Sequence, residues 1–171
     1  MATDGKDGGA LAPVEGATAT SAPVLPAYGH APFRGVFRLK LEGNGRVVLP
    51  SALKGAFASA GVIRPHRGEH LNLYTPMAWD EVVKAYAASD PAGMVDPRTR
   101  KRLYMSATDV TIDKQSRFVI PPDLRARAGL GENIVLAGAI EAIEIWPAHA
   151  FAREEATFDD ADLFFDGFEG L

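Results

Sequence analysis

Apolar and polar residues alternate along the segment from Val36 to Leu41. Phe37 and Leu39 fall on one side of an extended chain, whereas Arg38 and Lys40 fall on the other. Because successive side chains of a strand point to opposite faces, this period of two predicts a half-buried β-strand with a basic outer face.

A tight turn and a second short strand follow. Asn44-Gly45 is a strong signal for a β-hairpin, because both residues tolerate a positive φ. Arg46–Leu49 is therefore predicted to be the returning strand, and Pro50 ends it because proline has no N–H to donate to a ladder. Residues 51–58 predict a short helix with Ser51 as its N-cap.

The same order of elements recurs 71 residues further along the chain. Arg117 stands where Arg46 stands in the first copy, and Pro121 stands where Pro50 stands. Gly129 is predicted to end the second short helix. The strand, turn, strand, proline and helix of this second copy are predicted for residues 109–112, 113–116, 117–120, 121 and 122–128. The chain is thus predicted to hold two copies of one unit rather than a solenoid, which needs at least about three repeats.

Each copy continues with a strand that ends in an aromatic residue, Leu71–Tyr74 in the first and Ile143–Trp146 in the second. A helix is predicted over Met77–Ala88. Between the copies, Asp96 is the predicted N-cap of a further helix, which begins at Pro97 and ends at Met105. The two tryptophans of the chain are predicted to pack in the core.

These elements predict an α+β fold that is mostly β with short helices. Ala, Gly, Pro, Thr and Ser make up 21 of the first 32 residues, a composition that buries too little apolar surface to offset the entropy of folding. Residues 1–32 are therefore predicted to be a disordered N-terminal tail. The other predicted parts are the first unit at 33–90, a linker helix at 91–106, the second unit at 107–153 and an acidic C-terminal tail at 154–171.

Charge is distributed unevenly along the chain. The net charge of −4 divides into −2 for residues 1–32, +7 for residues 33–130 and −9 for residues 131–171. A basic middle of this kind indicates an anionic partner. The acidic tail is expected to screen that basic face, in the same or a neighbouring subunit, and so to suppress binding to random DNA.

Other composition features exclude classes of protein. The chain has no cysteine, so disulfides, thiolate catalysis and cysteine-ligated zinc are excluded, in keeping with a reducing compartment. No stretch approaches about 18 consecutive apolar residues, and the first residues lack the pattern of a secretory signal. Neither a membrane-spanning helix nor secretion is therefore expected.

The repeated element of strand, acid-x-x-small-Arg turn, strand, proline and short helix resembles the swapped-hairpin unit of the AbrB-like DNA-binding superfamily. Two copies in one chain, the opening Phe33-Arg34-Gly35 and the linker helix together resemble the MraZ family over residues 33–151. The family's Asp-x-Lys-Gly-Arg motif corresponds to residues 42–46 and 113–117. Both arginines match it. The departures from the motif are Glu42 and Asn44 in the first copy and Gln115 and Ser116 in the second.

The resemblance implies two tandem units that interleave into one pseudo-two-fold barrel. It also implies a cytoplasmic, nucleoid-associated transcriptional regulator, usually a repressor of the division and cell-wall gene cluster. Members of the family assemble as homo-oligomeric rings and bind short tandem repeats in double-stranded DNA. Such rings are expected to combine several weak contacts into one strong interaction.

Six basic residues are candidates for contacts with DNA: Arg46, Arg117, Arg34, Arg38, Lys40 and Lys114. The two turn arginines carry guanidinium groups, which recognise phosphates and base edges in a bidentate way. Alternatively, each pairs with the acid of its own turn, Glu42 or Asp113, and fixes the geometry of that turn. The first copy is the more basic and is expected to dominate the contact with DNA.

Other features favour plainer interpretations. The basic run at residues 98–102 is expected to form a solvated or subunit-facing side of a helix. His66 and His70 lie in a loop without a well-placed carboxylate, so no metal site is expected, and Gly43-x-Gly45 lacks the third glycine of a dinucleotide fingerprint, so no cofactor is expected. No Ser/His/Asp arrangement is visible, so an enzyme is not expected.

The alternative to a DNA-binding regulator is a protein-binding or assembly scaffold without DNA specificity. A DNA-binding protein that makes about six phosphate contacts has a slope near −5 in log affinity against log salt, whereas a scaffold shows no DNA binding.

Overall fold

A computed structural model describes residues 27–67, 69–89 and 96–158 of the chain. In chain order the elements are β1 (Val36–Lys40), β2 (Arg46–Val48), α1 (Ser51–Lys54), β3 (Ala60–Pro65), β4 (Leu71–Tyr74), α2 (Pro76–Ala88), α3 (Pro97–Met105), β5 (Thr108–Thr111), β6 (Arg117–Val119), α4 (Pro122–Arg127), β7 (Asn133–Ala139), β8 (Ala142–Pro147) and α5 (Ala148–Glu155). None of the helices in these ranges is long and apolar enough to cross a lipid bilayer.

The strands form two antiparallel sheets, which together with the short helices confirm the α+β class. Six strands pair in the order β1-β7-β8-β4-β3-β5, and β2 pairs with β6 in a separate two-stranded sheet. Strands of the first and second copies occupy corresponding places in the larger sheet, with β8 and β4 at its centre. β1 and β5 are its open edges, so the strands of the described ranges form no closed barrel.

The expected pairing of β1 with β2 as a hairpin is wrong. β1 pairs with β7, with Phe37 opposite Leu136, and β2 pairs with β6, with Val47 opposite Phe118. The turn between β1 and β2 is nevertheless closed, because the Gly45 N–H donates to the Glu42 carbonyl at 2.7 Å. The local turn therefore forms as expected, while each flanking strand pairs with a strand of the other copy.

The main core lies between the six-stranded sheet and the layer of β2, β6, α1 and α4. Phe118 is its largest fully buried side chain, and Leu53 and Leu124 occupy matching places in α1 and α4. A second cluster packs α2 and α3 around Trp79, and a third packs α5 around Trp146. The predicted core positions of both tryptophans are confirmed.

Several local predictions differ from the structure. Ser51 is the first residue of α1 rather than its N-cap, and the helix ends at Lys54 instead of continuing to residue 58. β3 and β7 were not predicted, because both consist mostly of small and apolar residues without alternation. The cap at Asp96 is confirmed, since its carboxylate accepts from the Arg98 N–H at 2.9 Å.

The predicted tails fall largely outside the described residues, which omit 1–26 and 159–171. The predicted linker helix at 91–106 is described from residue 96 onwards, where it contains α3. Residues 27–32, at the end of the predicted N-terminal tail, lie against the fold. His30 is buried, with its ring 4.8 Å from that of Tyr28 and 4.2 Å from that of Phe33.

Candidate nucleic-acid interface

The two-stranded sheet of β2 and β6, here called the ribbon, brings the two turn arginines onto one surface. Val47 and Phe118 point into the core, so their neighbours in each strand face outward. In the antiparallel register Arg46 is opposite Val119, and Val48 is opposite Arg117. The outer face of the ribbon therefore carries an arginine at each of two diagonal corners.

The second-copy turn holds Arg117 through Asp113. One carboxylate oxygen of Asp113 accepts from the backbone N–H groups of Gln115 and Arg117, both at 2.9 Å. The other accepts from Arg117 Nε at 2.8 Å. The backbone bond from Arg117, followed by its side-chain bond, holds the pKa of Asp113 below its usual value. A guanidinium has five N–H donors, so a bond through Nε is compatible with a further contact through its terminal nitrogens.

The first-copy turn holds its arginine less closely. Asn44 accepts from the Arg46 backbone N–H at 3.0 Å through its side-chain oxygen, in the role that Asp113 has in the other turn. The Arg46 guanidinium lies 3.5 Å from Glu42, compared with 2.8 Å between Arg117 and Asp113. Each turn arginine therefore pairs with the acid of its own turn, as the alternative to DNA contact predicted, and the pair in the first copy is the longer.

The remaining candidate residues lie apart from the outer face of the ribbon. Lys114 is exposed within the second turn, and Arg34 is exposed just before β1. Arg38 lies 2.8 Å from Glu155 and stacks over the Phe151 ring of α5. That contact places Arg38 on the α5 side of the six-stranded sheet, whereas the ribbon packs on the other side.

Lys40 bridges to Glu132 at 3.0 Å on an exposed surface next to the first turn. Of the six candidates, Arg46 and Arg117 thus share the ribbon, and Lys114 lies in the turn that leads into β6. Lys40 is two residues after Arg38, on the same face of β1 and away from the ribbon.

Two exposed valines between the arginines were missed by the sequence interpretation. Val48 is 48% exposed and Val119 is 45% exposed, although β-branched apolar side chains are usually buried. They lie 71 residues apart, as the arginines do, and the alternation along each strand places them on the arginine face. This repeated position next to the arginines is the sequence signal that could have identified the two valines as part of the surface.

The two loop histidines belong to an aromatic stack with Trp146. His70 is buried between the rings of Trp146, 4.1 Å away, and His66, 4.6 Å away. Burial, and then the neighbouring His66, lower the pKa of His70 to about 4, against an opposing effect of Glu154. In the part of the chain that the structure describes, no group of three or more His, Cys, Asp or Glu is placed to hold a metal ion.

Comparison with known proteins gives consistent matches. Residues 103–166 match a family model described as "MraZ protein" and antitoxin-like. The "Transcriptional regulator MraZ" of Thermomicrobium roseum is 32% identical over 126 residues, which cover 71% of this chain and 86% of the relative. A protein of the same name from an Arthrobacter species is 34% identical over 137 residues, which cover 76% of this chain and 94% of the relative. The similarity therefore extends through both copies of the unit.

Proposed function

Because this chain belongs to the MraZ family of transcriptional regulators, we propose that it regulates transcription by binding double-stranded DNA through the β2–β6 ribbon. The observation that carries this proposal is the convergence of Arg46 and Arg117 on the outer face of one ribbon. The family is one of regulators rather than enzymes. The proposed site of action is the nucleoid in the cytoplasm, and the proposed effect is repression of the division and cell-wall gene cluster.

The shape of the ribbon suits the major groove of DNA. That groove admits a two-stranded β-ribbon, with its outward side chains directed at the base edges. At the two corners Arg46 and Arg117 would bind phosphates or the edge of guanine. Between them Val48 and Val119 would contact an apolar feature of the groove, and the thymine methyl group is the feature that duplex DNA offers.

The first copy is proposed to contribute more binding energy than the second. The Asp113 carboxylate lies 2.8 Å from Arg117 and offsets more of its positive charge than Glu42, 3.5 Å away, offsets at Arg46. Lys114, at the tip of the second turn, is proposed to contact phosphate beside the ribbon. DNA contacts by Arg34, Arg38 and Lys40 stay predictions. Arg38 and Lys40 would have to exchange Glu155 and Glu132 for phosphate.

Assembly is proposed to supply the affinity that one ribbon lacks. A single ribbon neutralises few phosphates, and affinity for DNA rises with the number neutralised together. A homo-oligomeric ring that presents several ribbons to tandem DNA repeats would add effective concentration to each contact. Within one protein chain, corresponding strands of the two units occupy matching places in the sheet. This order supports a pseudo-two-fold pair of swapped-hairpin units, with boundaries at 33–90 and 107–153.

Fluorescence anisotropy tests the proposal with DNA from the region upstream of the protein's own gene. Wild type is expected to prefer this DNA over a scrambled duplex of equal length and composition. Arg46→Ala and Arg117→Ala are each expected to weaken binding by about fivefold or more, since a good bidentate contact contributes about 1–3 kcal/mol. Lys84→Ala, which removes one positive charge from exposed α2, is the matched control and is expected to bind like wild type.

Two outcomes would overturn the proposal. If both arginine variants bind as tightly as Lys84→Ala, the ribbon is not the contact surface. If wild type shows no preference for any DNA, the chain is an assembly scaffold, and the exposed valines belong to a protein interface.

A further inference from the structure

A second basic surface lies outside the ribbon. It is a groove of about 820 Å³ between β3 and the loop that follows it, α2, α3 and α4. Four arginines from three segments of the chain line this basic groove, together with His66. They are Arg64, Arg67, Arg102 and Arg127. None of the described residues that line the groove is acidic.

The rest of the groove is suited to a ligand with both polar and apolar groups. Val82, Leu103 and Met105 provide apolar surface, and Met105 is 73% exposed. The hydroxyl of Tyr86 is buried without a hydrogen-bond partner among the described residues. Arg64 donates through Nε to the Ser106 hydroxyl at 3.3 Å, which orients its guanidinium group.

The concentration of guanidinium groups indicates the chemistry of the occupant. Four like charges around one groove repel each other, so an anion in the groove would stabilise the arrangement. Guanidinium groups bind carboxylates through two parallel hydrogen bonds, and their planar faces also stack on aromatic rings. An acidic segment that carries aromatic side chains matches both the charge and the apolar surface.

Such a segment begins where the described part of the chain ends. Arg153 of α5 pairs with Glu69, in the loop between β3 and β4. The same loop contains His66 and Arg67, which line the basic groove. The described residues end at Phe158, three residues after α5. Glu155, the last residue of α5, pairs with Arg38 of β1, four strand positions away from β3 in the six-stranded sheet. A segment that follows α5 therefore reaches the groove only by crossing the sheet from β1 towards β3.

The sequence of residues 159–171 complements the groove. It contains five acids and no basic residue, with Phe164, Phe165 and Phe168 among them. An extended chain spans at most about 3.5 Å per residue, so thirteen residues reach up to about 45 Å. Four strand spacings, from β1 to β3, measure roughly 20 Å, which is within this reach. A covalent link of this length gives an effective concentration in the millimolar range, so a weak contact is sufficient.

We propose that residues 159–171 bind in the basic groove of the same protein molecule. Their carboxylates would pair with the arginines, and their aromatic rings would pack on the apolar surface. The acidic segment then neutralises a basic surface that would otherwise attract random DNA. This inference concerns a contact within the protein and does not depend on DNA binding by the ribbon.

Disulfide cross-linking of the full chain tests this contact, since the protein has no native cysteine. Gly167→Cys in the acidic segment is combined with Thr99→Cys at the groove, and in a control chain with Thr111→Cys on β5. Both threonines are exposed, and Thr111 is not among the residues that line the groove. Cross-linking without DNA is followed by mass spectrometry, which distinguishes disulfides within one protein molecule from disulfides between two molecules.

The Thr99→Cys pair is expected to cross-link within one copy at least tenfold faster than the control pair. The rate should fall towards the control rate as salt rises from about 0.05 M to about 0.5 M, because salt screens exposed charges. Arg64→Gln with Arg67→Gln should have the same effect as high salt. Replacing Asp159, Asp160 and Asp162 by Asn should also do so, without any change to the residues of the groove.

Equal rates for the two pairs, or a rate that neither salt nor these substitutions change, would overturn the proposal. Cross-links found only between copies would also overturn it and would place the segment on a neighbouring subunit. If cross-linking stays at the control rate while Arg64→Gln with Arg67→Gln weakens DNA binding, the groove is instead a second DNA surface.

Discussion

The two turns differ at one position in a way that predicts opposite effects on stability. Gly45 and Ser116 occupy the same place, directly before the two ribbon arginines, and both have a positive φ, of 83° and 60° respectively. A left-handed conformation costs a non-glycine residue about 1–2 kcal/mol, whereas glycine adopts it freely. Glycine also loses more backbone entropy on folding, about 0.5–1 kcal/mol. Ser116→Gly should therefore stabilise the protein by about 0.5–1 kcal/mol.

The reverse change in the first turn is expected to be costly. A Cβ at Gly45 would lie 2.8 Å from the carbonyl oxygen of Ile120 and 2.8 Å from Arg125 Nε. The Ile120 N–H donates to the Gly45 carbonyl at 2.9 Å, so a shift of this backbone also weakens the hydrogen bond that links the two copies. Left-handed strain of about 1–2 kcal/mol and overpacking of about 1–3 kcal/mol exceed the entropy gained from losing a glycine. Gly45→Ser should therefore destabilise the protein by about 2–3 kcal/mol.

Urea unfolding followed by tryptophan fluorescence measures both changes. Gly43→Ser is the matched control, because a Cβ there meets nothing within 4 Å, and it should stay within about 0.5 kcal/mol of wild type. A left-handed requirement at both turns is ruled out if Gly45→Ser is as stable as Gly43→Ser, or if Ser116→Gly and Gly45→Ser shift stability in the same direction.

Three further predictions concern His70, the core and the ribbon valines. The pKa of His70 is about 4 in the folded protein against 6.5 when exposed, so below pH 6.5 the unfolded chain takes up a proton that the folded one does not. The free energy of unfolding should fall by about 2 kcal/mol from pH 6.5 to pH 5, at 1.36 kcal/mol per pH unit. Denaturation at each pH should show this loss abolished in His70→Phe but retained in the control His149→Gln, which changes an exposed histidine. Phe118→Ala should lower the free energy of unfolding by about 3–5 kcal/mol in urea titrations, because it empties a fully buried site, and a loss below about 1 kcal/mol would contradict its place in the core. Replacing thymine by deoxyuridine in the bound DNA should weaken binding of wild type in anisotropy assays but not of the Val48→Ala/Val119→Ala double variant, and an equal effect on both proteins would exclude a contact of the valines with thymine methyl groups.

The sequence identifies local elements of this fold better than it identifies their partners. Alternation and turn residues locate β1 and the Asn44-Gly45 turn, because both depend on neighbouring residues. The pairing of β2 with β6 depends on the joint burial of Val47 and Phe118, which lie 71 residues apart, and a local hairpin signal contains no information about that contact. β3 and β7 were missed because strands with little polar alternation lack the period on which the prediction rests.

Some features of the candidate site follow from the sequence, and others depend on the tertiary fold. The repeat places Arg46 and Arg117 in equivalent positions, and the structure adds that both lie on one face with two exposed valines. The basic groove was not predicted, because its arginines come from three distant segments that only the tertiary fold brings together. The contact between Arg38 and Glu155, which are 117 residues apart, could not be predicted from local pattern for the same reason.

The salt dependence of binding shows whether the ribbon arginines bind DNA. Wild type and the Arg46→Ala/Arg117→Ala double variant are compared on random duplex DNA over a series of salt concentrations, with Lys84→Ala as the control. Each phosphate contact contributes about 0.9 to the slope of log affinity against log salt. The double variant should bind more weakly, with a slope shallower by about 2 for each bound protein chain, whereas the Lys84→Ala slope should be unchanged. An unchanged affinity and slope in the double variant would contradict it.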